Sequence, residues 1–169
     1  KKVTLPQGVT AIPQSAFSNC SKLEEVNIPA TVASIGQSAF YGCKALTGVE
    51  LPDGLTEIAR AVFQNCSSLE NVVIHASVTS IGDSVFSGCT VLKEVKLPEG
   101  LTSLGNNCFN SCKALEKMVI PQGITKIDDK TFYQCSNLTT IALPEKLTSF
   151  GDDVFYQCSR LGDVTLPES

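Results

Sequence analysis

Tryptophan is absent from this chain, and histidine and methionine occur once each, as His75 and Met118. A single imidazole leaves little from which to build a metal site or an activated nucleophile. Runs of positive charge are missing too: 13 Lys and Arg face 17 Asp and Glu, for a net charge of -4. That balance offers no footprint for nucleic acid. Long apolar runs are also lacking, since none approaches the ~20 residues of a membrane-spanning helix. The opening Lys1-Lys2-Val3-Thr4 is not followed by an apolar signal core, so any export signal is expected to have been removed or to lie outside this segment.

What the chain does contain is a period. In 169 residues, 43% of them hydrophobic, Phe17, Phe40, Phe63, Phe86, Phe109, Phe132 and Phe155 recur every 23 residues without a slip. Cys20, Cys43, Cys66, Cys89, Cys112, Cys135 and Cys158 follow each by three. Leucines at Leu23 through Leu161 head the next segment, followed by a column from Val26 to Val164 and another from Ile28 to Leu166. A proline closes most copies, from Pro29 to Pro167. Each unit therefore reads Leu-x-x-Val-x-Ile-Pro, a turn, Val-Thr-x-Ile, and a second turn ending in Ala/Val-Phe-x-x-Cys. The first segment alternates as a short strand does, and the proline, lacking an N–H, ends its pairing.

Units of 23 residues bury their apolar columns only by stacking on one another, which predicts a solenoid with one parallel sheet. Seven strands at ~4.8 Å spacing make that sheet roughly 30 Å long. A weaker period of 46 is visible where Ile28, Ile74 and Ile120 alternate with Leu51, Leu97 and Leu143. The chain starts inside one strand and stops just after another, so residues 1–169 read as a single array cut from a longer protein.

Leu23-x-x-Val26-x-Ile28-Pro29, continued by Ile35-Gly36-x-x-Ala39-Phe40-x-x-Cys43, resembles the 23-residue leucine-rich repeat of BspA-like, Treponema-type bacterial surface proteins. The resemblance implies a horseshoe of about seven coils, with a parallel β-sheet on the concave face and turns or short helical turns elsewhere. It also implies a cell-surface or secreted bacterial protein with an adhesion-type role, binding a host or neighbouring-cell protein, such as a matrix protein, or a glycan. The alternative is a structural spacer that displays another domain away from the cell wall. No catalytic residue, metal or cofactor is expected.

The side chains flanking the Val26 column face solvent in such a strand, because alternate residues point to opposite faces. The candidate binding residues are Glu25, Asn71, Glu94, Lys117, Thr140 and Asp163 in one outward column, and Asn27, Glu50, Val73, Lys96, Val119 and Thr165 in the other. Both columns vary more than the inward ones, and neither contains an aromatic anchor. Tyr41, Tyr133 and Tyr156, each following its Phe, are expected on the outside of the turns, where a sugar could stack.

Eight cysteines invite a disulfide or zinc reading, but ladder neighbours point in parallel rather than at each other and no Cys-x-x-Cys occurs. Reduced, buried thiols filling apolar space fit the pattern better. Asp83, Asp129 and Asp152 share a column with Gln14, Gln37 and Asn106, so capping of turn N–H groups is favoured there over calcium. His75 replaces a proline at the end of its strand and reads as a tolerated surface substitution without a supporting acid.

Overall fold

The computed structural model describes residues 1–165, so Leu166 and Pro167 of the repeat columns lie outside the described residues. Thirteen short strands follow one another: β1 (Lys2–Thr4), β2 (Ala11–Ile12), β3 (Glu25–Asn27), β4 (Ser34–Ile35), β5 (Gly48–Glu50), β6 (Glu57–Ile58), β7 (Asn71–Val73), β8 (Ser80–Ile81), β9 (Ser103–Leu104), β10 (Lys117–Val119), β11 (Lys126–Ile127), β12 (Thr140–Ala142) and β13 (Ser149–Phe150). Every pairing is parallel and joins residues 23 apart, as in Val3 with Val26 or Met118 with Ile141. The sequence period is thus one turn of a β-solenoid.

Two ladders result. The predicted one contains β1, β3, β5 and β7 in a row and, farther on, β10 with β12. The Val-Thr-x-Ile segment, read from the sequence only as a link between turns, forms a second, interrupted ladder of two-residue strands, paired as β2 with β4, β6 with β8 with β9, and β11 with β13. Its threonines bind the coils together, with Thr79, Thr102 and Thr148 each donating a hydroxyl hydrogen bond of 3.0–3.3 Å to the carbonyl 23 residues earlier.

The expected short helical turns are corrected: no helix occurs among the described residues. The cause is backbone chirality. Two positions per coil, Ser15 and Asn19 and their equivalents through Asp153 and Gln157, have positive φ between 55° and 77°. A left-handed residue breaks the right-handed sequence of dihedrals a helix needs, so each Phe-x-x-Cys segment becomes a chain of separate turns.

Between the ladders lies the core. The phenylalanines from Phe40 to Phe132 are fully buried and, with Phe17 and Phe155, stack in one column with ring centroids 5.3–5.9 Å apart and interplanar angles of 13° or less. The central leucines Leu46, Leu69, Leu92, Leu115 and Leu138 are at 0% exposure. Departures from the repeat are accommodated locally. Buried Thr131 donates its hydroxyl to the Asp128 carbonyl at 2.6 Å, while Phe150 tilts against Phe155 at the edge.

Candidate functional site

All twelve candidate residues are exposed on one face. Between them the Val26, Val49, Val72, Val95 and Met118 column is buried, so the alternation read from the sequence holds. One expectation needs correction: Glu94 and Lys96, like Asp163 and Thr165, do not lie in strands. No backbone hydrogen bond joins residues 94–97 to the coil on either side, so the first ladder lapses between β7 and β10.

Of the candidate residues only Glu25 is ion-paired among the described residues. Near the start of the strand face its carboxylate lies 2.6 Å from the Lys2 ammonium of the neighbouring strand. Near the lapse, Glu94, Lys96 and Lys117 form no ion pair among the described residues. Val73 and Val119, at 48% and 66% exposure, flank these free charges on either side. A depression of about 380 Å³ opens there, lined by Glu94, Lys96, Lys117 and Val119.

A second depression of about 400 Å³ lies over Glu25, Asn27 and Glu50 and reaches His75. The His75 ring is not without an acid, as the sequence had it: its Nδ1 lies 2.6 Å from Asp53 Oδ1. Asp53 stands one residue beyond the proline position of the preceding coil, which is the signal that could have found it. No hydroxyl or thiol is hydrogen-bonded to the ring among the described residues, so the pair has no nucleophile to activate.

The acidic column caps turns. Asp83 Oδ1 accepts the Asn106 backbone N–H at 2.9 Å, and Asp129 Oδ1 that of Asp152 at 2.8 Å. All eight cysteines are free; six are buried, Cys158 is half-buried and Cys20, at the start of the stack, is exposed, which corrects the expectation of burial there. In the ladder of Cys43, Cys66, Cys89, Cys112, Cys135 and Cys158 each Sγ donates to the carbonyl of the phenylalanine 26 residues earlier, at 3.0–3.2 Å. Burial, with a neighbouring thiol adding to it, pushes Cys43 up to about 11 and Cys66 up to about 12. Cys43 and Cys66 are therefore protonated donors at neutral pH, whereas the hydrogen bond with Cys135 pulls the Cys158 thiol down.

Parallel coils, an apolar interior and a two-ladder wall define a leucine-rich repeat β-solenoid. The model of the BspA type leucine rich repeat region matches residues 1–89 and 56–169 in six copies, and the chain belongs to that family. Among solved structures, a leucine-rich repeat protein of T. pallidum is 39% identical, with a TM-score of 0.91 over 96% of this chain and 78% of that one. A leucine-rich repeat protein from Eubacterium ventriosum shares 27% identity and a TM-score of 0.87 over 99% of this chain and 45% of its own. A leucine-rich cell surface protein from Faecalibacterium prausnitzii shares 27% at a TM-score of 0.69, covering 95% of this chain and 58% of its own. The chain thus spans about half the length of the latter two. No curated protein matches.

Proposed function

We propose that this array is a non-enzymatic binding module of a bacterial cell-surface or secreted protein, making adhesion-type contacts with a protein of a host or neighbouring cell through its strand face. The observation that carries this reading is the group of unpaired charges Glu94, Lys96 and Lys117 between exposed Val73 and Val119, at the coil where strand pairing lapses. Free charges beside apolar side chains suit a protein surface: the valines supply buried area, and the charges set register and exclude wrong partners. The F. prausnitzii relative described as a cell surface protein supports the location.

The test is a binding screen against matrix proteins, run beside a Glu94→Ala, Lys96→Ala, Lys117→Ala variant matched for melting temperature. Saturable binding that falls at least about tenfold in the variant is expected, equivalent to ~1.4 kcal/mol. Binding that survives unchanged places the contact elsewhere, and no binding at all favours the spacer.

A further inference from the structure

On the turn side of the coils, away from the strand face, a polar groove of about 480 Å³ runs along the stack. One wall is the left-handed turn column, where Asn19 and Asn65 alternate with Gly42 and Gly88. The other wall carries Lys44, Ser67 and Thr90, and Tyr41 also lines the groove, its hydroxyl reaching Asn65. Three coil steps of ~4.8 Å give a length of about 15 Å.

The same columns behave differently farther along the chain. There Ser111 donates to Gln134 Oε1 at 3.2 Å, and Gln134 Nε2 donates to Gln157 Oε1 at 2.7 Å, so the side chains satisfy one another. Tyr133 and Tyr156 stack at 4.9 Å, each covering the other's face. In the groove the ladder is open. Glycine at alternate coils removes the side chain that would continue it, and a Cβ at either Gly42 or Gly88 would run into the preceding asparagine carboxamide. The Asn19 and Asn65 Oδ1 atoms accept no hydrogen bond among the described residues. Tyr41 stacks on no other ring there, yet it is held in place, because Asn65 Nδ2 donates to its hydroxyl at 3.2 Å. Lys44 is exposed and has no ion-pair partner among the described residues, and no carboxylate lines the groove.

We infer that this groove is a saccharide site, which takes a short glycan carrying an acidic sugar. An oriented, half-buried aromatic ring that no other ring stacks on offers the C–H face of a pyranose a flat apolar partner, carboxamides and hydroxyls serve its hydroxyl groups, and the single ammonium meets a sugar carboxylate. A peptide is the poorer fit. The groove has no apolar pocket for side chains, and its backbone is already used between coils, as in Gly42 N–H to Gln64 carbonyl at 2.8 Å and Asn65 N–H to Ser87 carbonyl at 2.7 Å. The site lies on a different face from the proposed protein contact and does not depend on it.

The 169-residue chain is titrated with sialyllactose and with lactose, followed by saturation-transfer NMR and by tyrosine fluorescence, which no tryptophan masks. Saturable binding of sialyllactose is expected, weakened at least tenfold in Tyr41→Ala and unchanged in Tyr133→Ala. Lys44→Ala, at an exposed position, reduces sialyllactose binding to the lactose level and keeps the test alive if Tyr41→Ala proves unstable. The Glu94, Lys96, Lys117 triple variant retains sugar binding, which separates this site from the strand face. Saturation by neither sugar overturns the inference, as does sugar binding indifferent to Tyr41 and Lys44 or an acidic hexapeptide that binds at these residues in the sugars' place.

Discussion

The six ladder thiols Cys43, Cys66, Cys89, Cys112, Cys135 and Cys158 each give their one proton to a phenylalanine carbonyl of the stack, a bond that alanine in their place could not make. In Cys66→Ala, for example, the Phe40 carbonyl keeps the Cys43 backbone N–H at 3.2 Å and loses its second donor, at a net cost of about 0.5–1.5 kcal/mol. Ionisation breaks the same bond. An unfolded thiol releases its proton near 9.0, whereas folded Cys66 holds it up to about 12. The stabilisation is therefore fully present below pH 9 and is lost as pH rises through that window, at about 1.4 kcal/mol per pH unit for each such thiol. Urea unfolding of Cys66→Ala between pH 9 and 12 should show a pH slope shallower by about that amount, and an unchanged slope would contradict the protonated rung. The sequence placed these thiols inside but could not mark them as donors. Their acceptor is a backbone carbonyl, which every residue type carries.

Turns make up the larger share of each coil, and their shape is fixed by the two left-handed positions. One of these columns was legible only in its first four coils, where Asn19, Gly42, Asn65 and Gly88 are residue types that tolerate positive φ, and not at Ser111, Gln134 and Gln157. The other was not, because it is filled by Ser15, Ser38, Ala61, Ser84, Asn107, Lys130 and Asp153, and most of these types occur in any backbone region. Each pays a penalty of order 1 kcal/mol that glycine avoids. Lys130→Gly, at an exposed site with φ 55°, is expected to raise stability by about 1 kcal/mol in denaturant unfolding. Gly42→Ala should act in the opposite direction, since its added carbon meets the Asn19 carboxamide as well as an unfavourable φ of 67°. The second ladder was hidden for a related reason. Two-residue strands such as Ser34–Ile35 are too short to show alternation, and only stacking reveals their pairing.

For the whole molecule, the 23-residue register decides what is inside, while differences between coils decide what each face can do. The strand-face columns could be written down from alternation alone, and all twelve candidates are exposed. That Glu25 is engaged while Glu94, Lys96 and Lys117 are not was not legible, because it depends on Lys2 meeting Glu25 across coils and on where the ladder lapses. The turn-side groove was foreshadowed only by Tyr41. Its opening comes from glycine at alternate coils, against a zipped amide column farther on. Both faces require a rigid stack to hold their side chains at fixed spacing.

That rigidity rests on coils that stabilise their neighbours, and Leu92, at 0% exposure in a central coil, tests it most directly. Leu92→Ala leaves a cavity and is expected to cost about 2–5 kcal/mol. In amide hydrogen exchange, protection should fall in its own coil and in both adjoining coils, around Leu69 and Leu115, and less toward the ends of the array. Loss confined to the substituted coil, or a melting temperature equal to that of the parent chain, would contradict a solenoid held together by coil-to-coil stacking.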